Sequence, residues 1–139
     1  MADGLDAVLD NMNQLVAATK GTQSKLADAL GFPLQQITDY QHAQLMQTLA
    51  LFADRMGVAV PNEKFMPPAF QASDTVNFAI GNSKLIIEKL VQLHELSAKH
   101  ARSVVKTAEG LDDFDTVKLM GECIEFHVKS AWMLRALLQ

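Results

Sequence analysis

Apolar residues recur at helical spacing along nearly the whole chain. Leu5, Val8, Leu9, Met12, Leu15 and Val16 fall at i, i+3 and i+4, the spacing that gathers side chains on one helix face. Lys20-Gly21-Thr22 marks a stop or bend, Ser24 to Leu30 resumes the helix, and Gly31-Phe32-Pro33 ends it again. Ile37, Tyr40, Leu45, Leu49, Phe52 and Met56 form a second stripe that stops at Gly57. From Gly57 to Ser73 the texture changes. Pro61, Pro67 and Pro68 exclude a continuous helix, because proline lacks the backbone N–H and clashes with the preceding turn.

Ser73-Asp74 offers a helix N-cap, and the helix it opens runs to about Glu109. Its stripe includes Val76, Ile80, Ile87, Leu90, Val91, Val104 and Val105, with Gly81-Asn82 as a kink point. Gly110 suits the left-handed position after a helix, and Asp112 or Asp113 caps the next one. That last helix carries Val117, Met120, Ile124, Val128, Ala131, Leu134 and Leu138. A second row, Leu119, Phe126, Met133 and Leu137, widens its apolar face. A face this wide is buried on two sides or meets a partner, so these four residues mark the candidate partner surface.

No Asn-Gly or Asp-Gly turn sits between alternating runs, and the one Asp-Gly, Asp3-Gly4, lies at the start. The expected fold is therefore all-α: two helical hairpins, residues 1–58 and 73–139, joined by a proline-rich linker at 59–72. A shift of 79 residues pairs Leu26 with Val105, Gly31 with Gly110, Tyr40 with Leu119, Leu45 with Ile124 and Leu49 with Val128. Any two helical hairpins give apolar pairings of this kind, so a duplication stays open.

Composition narrows the function more than it assigns one. The 139 residues are 49% hydrophobic and carry a net charge of −4, a poor balance for neutralising nucleic-acid phosphates. One cysteine excludes an intramolecular disulfide and any CxxC site. The start, MADGLDAVLDN, lacks the basic leader and apolar core of a secretory signal. No apolar run is long enough to span a bilayer, and the expected location is the cytoplasm.

The search for chemistry yields little. Di-iron carboxylate bundles use inward Glu residues and Glu-x-x-His pairs. Here the spacing is Glu122-x-x-Glu125-x-His127, and positions two apart lie about 200° around a helix. His94 and His100 are six apart, off the i, i+4 zinc pattern. The four histidines, His42, His94, His100 and His127, are therefore expected on solvated faces. Cys123 stands between Glu122 and Ile124, where acidic neighbours disfavour a thiolate, and reads as a small buried hydrophobe. No phosphate loop, nucleophile elbow or HExxH is present. The reading is of a non-enzyme with no catalytic residue, cofactor or metal.

Two resemblances suggest functions. The segment TQSKLADALGFPLQQITDY resembles the helix-turn-helix of small repressors, through Gln23, Ala27, Leu30, Gly31, Ile37 and Tyr40. The resemblance implies a regulator with a C-terminal oligomerisation hairpin, reading DNA with Gln35, Gln36, Thr38 and Gln41. Against it, residues 1–60 hold three basic and six acidic side chains, and the reading helix, Pro33 to Ala43, has no Arg or Lys. The region from about Val76 onward resembles phasins, which coat polyhydroxyalkanoate granules. The likeness lies in a long helix, the acidic break LDDFD, then TVKLMGECIEFHVKSAWMLRALLQ, with Leu119-Met120-Gly121-Glu122 where phasins carry Leu-Gln-x-Glu. It implies amphipathic helices that adsorb to a hydrophobic granule or assemble into a homo-oligomer. The two readings differ in one structural respect. A repressor needs helices at 24–30 and 34–42 crossing around Gly31, whereas a bundle needs one unbroken helix from 34 to 56.

Overall fold

The computed structural model describes residues 2–21, 31–56 and 83–138. They form four helices: α1 (Ala2–Gly21), α2 (Gly31–Met56), α3 (Ser83–Gly110) and α4 (Phe114–Ala136). No strand occurs among the described residues, and the all-α expectation holds. The Ser24–Leu30 helix, the Ser73-Asp74 cap, the Gly81-Asn82 kink and the proline-rich linker lie outside the described residues.

The apolar stripes converge in two clusters. One contains Leu15, Ala18, Leu34, Leu45, Ile86, Ile87, Leu90, Val91, Ala131 and Leu134. The other contains Val8, Met12, Leu49, Phe52, Ala101, Val104, Met120 and Cys123. The first thus joins the ends of α1 and α4 to the starts of α2 and α3, and the second does the reverse. So α1 and α4 run one way, and α2 and α3 run the other. Because α2 and α3 are parallel, segment 57–82 connects opposite ends of the bundle. The arrangement is a four-helix bundle with one crossover connection. Helix α3 packs chiefly on α4 and α1, and α1 also on α2. Gly4 lets α1 approach α3 closely, since a Cβ there would stand 2.9 Å from Val104 Cγ2.

The turn between α3 and α4 departs from the expected use of Gly110. The helix includes Gly110, and the left-handed residue is Asp112, with φ 55°. Aspartate tolerates that region better than most side chains. The Asp113 amide then donates to Ala108 O at 2.9 Å, tying the turn to the end of α3. Asp113 caps α4, its carboxylate accepting from the Thr116 amide at 3.3 Å and hydroxyl at 2.6 Å.

Helix α2 is continuous over 26 residues, which removes the helix-turn-helix geometry at its root. A recognition helix ending near Ala43 does not exist. Of the residues expected to read DNA, Thr38 and Gln41 are fully buried, while Gln36 is exposed and Gln35 half-buried. Thr38 donates to Gln35 O at 3.1 Å and Gln41 Nε2 to Ser130 O at 3.3 Å, so both polar groups serve the fold. The 79-residue shift matches helices but not their buried faces. It lays α2 over residues 110–135, nearly the span of α4, but out of burial phase, pairing buried Leu49 with exposed Val128.

Candidate functional site

Between the two apolar clusters lies a polar layer built on histidines. His94 of α3 and His127 of α4 face each other with their Nδ1 atoms 3.0 Å apart. They are 0% and 1% exposed. Phe126 packs edge-on against both rings, with centroids 5.8 Å from His94 and 5.2 Å from His127. Ser97 and Ser130, one turn along, are buried beside the same hairpin seam. The Ser97 hydroxyl bonds back to Leu93 O at 2.7 Å. The other two histidines also bridge helices. Asn11 Nδ2 of α1 donates to His100 Nδ1 of α3 at 2.6 Å. Thr19 gives its hydroxyl proton to Leu15 O at 2.8 Å, so His42 Nδ1, at 3.0 Å, donates to Thr19 Oγ1. The expectation of solvated histidines is therefore overturned: each makes an interhelical hydrogen bond, and two are fully buried.

Burial fixes the charge state of the central pair. It lowers the His94 pKa well below the ordinary value, with the neighbouring His127 charge as a second cause. Burial likewise lowers the His127 pKa to about 4. Both rings are neutral at pH 7, since desolvation penalises the charged form. Neutral rings joined through Nδ1 must adopt unlike tautomers. The donor carries its proton on Nδ1 and leaves an Nε2 lone pair. The acceptor carries its proton on Nε2. Neither Nε2 meets a protein partner.

A groove of about 360 Å³ between α3 and α4 lies over His94 and His127, whose Nε2 atoms stay buried, and is lined as well by Val128, Lys99, Arg102, Glu95 and Arg135. Glu95 and Arg135 are ion-paired. On the other side of α4, a cavity of about 240 Å³ lies against α2, lined by Tyr40, Gln44, Phe126 and Met133 among others. The Cys123 thiol is fully buried. Burial, and then the Glu122 charge, push its pKa up to about 12.

The four residues expected to form a partner surface are half-buried. Phe126 and Leu137 pack against the first apolar cluster, and Leu119 against the second. Met133 lines the groove beside α2. The large apolar side chains that α4 turns outward are instead Phe114, 68% exposed, Val128 and Trp132, 73% exposed. Single-helix periodicity marked neither Phe114 nor Trp132 and placed Val128 with the core row, because it could not say how far the neighbouring helices would cover α4.

A family model described as the ferritin-like domain matches residues 41–139. No curated protein matches. The match covers most of α2 and all of α3 and α4, the region over which the phasin likeness was drawn. It overturns that likeness, which rested on stripe pattern alone, a feature common to long amphipathic helices. It equally replaces the repressor reading of α2.

Metal-binding members of such bundles place a Glu from each of two helices and a Glu-x-x-His from each of the others inward. The buried polar side chains among the described residues are histidines, serines, threonines, Asn11 and Gln41, with no carboxylate among them. Every carboxylate with a described side chain is exposed, except Asp113, which caps α4. Among the described residues no three His, Cys, Asp or Glu side chains converge. This donor set does not fit a carboxylate-bridged di-metal centre. The fold nevertheless rests on the bundle topology and its apolar seams, and on that ground and the extent of the match the chain belongs to the ferritin-like domain family.

Proposed function

We propose that this chain is a non-enzymatic ferritin-like protein that works by self-assembly, two copies pairing through the outer face of α4. The carrying observation is the exposure of Trp132, with Val128 and Phe114, on a helix whose opposite face is already filled by core. Exposed large apolar groups sharing one face mark interaction sites. Gly121 lies on that face, exposed, with nothing within 4 Å of where a Cβ would stand. Phe114 and Val128 sit seven residues to either side of it.

A two-fold axis at Gly121 supports the choice of a second copy as partner. An isologous pair of antiparallel α4 helices sets Phe114 opposite Val128 of the partner copy. It sets Lys118 beside Glu125 of the partner copy, so the charges flanking the apolar stripe are self-complementary. Gly121 at the crossing point lets the backbones approach. The granule surface rested on the phasin likeness alone, whereas self-pairing draws on this charge and shape pattern.

Sedimentation of the full chain, with and without the double substitution Phe114→Glu and Trp132→Glu, tests this. The wild-type chain should sediment as a dimer or a multiple of it. The double variant should be monomeric, with an unchanged far-ultraviolet circular dichroism spectrum. A monomeric wild type, or a variant that keeps the wild-type mass, would sink the proposal.

A further inference from the structure

The histidine pair in the α3–α4 seam is bonded in a way that leaves no place for further protons. The Nδ1 atoms of His94 and His127 stand 3.0 Å apart with one proton between them. The neutral pair holds two protons in all, the second on the Nε2 of the acceptor ring. A third has only the other Nε2 to take, a buried atom without a protein partner, and makes an imidazolium with an unmet N–H in the core. A fourth sets two Nδ1–H groups against each other and breaks the contact. No hydrogen bond joins either ring to a carboxylate among the described residues. Over the pair, Glu95, Lys99 and Arg102 of α3 and Arg135 of α4 line the open groove; all four are exposed, and Glu95 is already paired with Arg135. Toward α2, Glu122, Glu125 and Lys129 of α4 and Tyr40 of α2 line the other groove and are exposed. Toward α1, His100 and His42 are turned to Asn11 and Thr19, and Asp6 and Asp10 are exposed. Burial therefore holds both rings uncharged while the seam is closed.

We propose that the His94–His127 pair is a proton-operated latch: acid parts α3 from α4 at this level while the helices themselves persist. Once the seam parts, each ring meets water and takes up the proton it could not hold inside. Below about pH 6.5, the ordinary histidine value, each ring freed into water raises the open population about ten-fold per pH unit, as long as the closed seam binds no proton. The seam is built to open there. Ser97 and Ala98 on α3 and Ser130 and Ala131 on α4, one turn from the pair, are buried and short, and short side chains lose contact over a small separation. Larger apolar groups keep the hairpin joined to either side, Ile87, Leu90 and Leu134 in one cluster and Val104 and Met120 in the other. The latch lies on the inner side of α4 and does not depend on self-pairing through Phe114 and Trp132.

Cys123, the only cysteine, is fully buried one turn before His127 and reports the opening. The full chain is labelled from pH 7.5 to pH 4.5 with a dipyridyl disulfide, which reacts with thiols in acid as well as at neutrality. Rates are divided by those of a free thiol in the same buffer, and circular dichroism follows the helices. The normalised rate should rise more than about ten-fold between pH 6.5 and pH 4.5 while helix content holds. The double substitution His94→Gln and His127→Gln keeps polar side chains, removes the titration and should abolish the rise. Whether or not that variant folds, the wild-type rate at pH 5 should change little in dilute urea, because a local opening exposes little surface. A thiol protected until the helices melt, a rise that survives in the folded double variant, or a steep dependence on urea would each overturn the latch.

Discussion

The two faces of α4 use similar residues for different ends. The inner face sets Met120, Cys123, His127, Ala131 and Leu134 against the other helices, all of them buried. The outer face carries Phe114, Val128 and Trp132, each at least half as open as a free side chain or nearly so, with exposures of 68%, 48% and 73%. Mean polarity does not separate them: the inner face holds a histidine, and the outer one holds the only tryptophan. Burial is settled by what the neighbouring helices cover. An apolar residue on the inner face stabilises the monomer, and one on the outer face can contribute only when something else covers it.

The largest effect expected from this contrast is on the inner face. Leu134→Ala removes a fully buried side chain from the first apolar cluster and should cost about 2–5 kcal/mol in urea unfolding. A loss no greater than that of an outer-face variant would erase the distinction between the faces.

Acid should act next most strongly, through the polar layer. The folded His127 binds its proton at about pH 4, whereas in the unfolded chain it does so near the ordinary histidine value of about 6.5. Between these values the unfolded state holds more protons, so stability is full above about pH 6.5 and falls as pH drops toward 4. For His127 alone the shift corresponds to about 3 kcal/mol. The His94 shift has the same direction. Unfolding measured from pH 7.5 to pH 4 should show this slope, and His127→Phe should flatten it. A slope unchanged by that substitution would place the acid sensitivity elsewhere.

A smaller change is expected at the start of α4. Asp113→Ala deletes the acceptor for the Thr116 amide and hydroxyl and should lower stability by about 1 kcal/mol, read as a shift of the urea midpoint. Smallest of all is the effect of the Phe114→Glu and Trp132→Glu pair on the dilute monomer, within about 0.5 kcal/mol per site. Its effect on mass should be complete. A large loss of monomer stability would show that the outer face is tied into the fold after all.

Much of the architecture was legible in the residues. The i, i+3, i+4 stripes of Val8, Met12 and Leu15 and of Leu45, Leu49 and Phe52 became core. Asp113 capped as its position suggested, because capping depends on a few adjacent residues. Gly110 misled, since the turn was closed by the Asp112 φ and the Asp113–Ala108 hydrogen bond rather than by glycine. The central site was not legible. His94 and His127 are 33 positions apart, with no shared motif, and meet only because the α3–α4 hairpin closes in one register. The one available signal was that each lies in phase with the apolar stripe of its helix: His94 with Leu90, Val91 and Ala98, His127 with Cys123, Ala131 and Leu134. The family was hidden for a related reason. Apolar periodicity carries the bundle fold, whereas a metal-binding member is recognised by a few inward carboxylates, and the described interior here has none in those roles.

The sequence alone determined that the chain is helical and in two hairpins, and where α4 begins. These follow from propensities, caps and a repeat of 3.6 residues, all acting over one or two turns. Only the tertiary structure decided which apolar row of α4 became core, that Thr38 and Gln41 point inward, and that two histidines share a proton between helices. Those outcomes depend on how far each helix is rotated about its own axis when four of them pack. That rotation is set by the fit of all the side chains together.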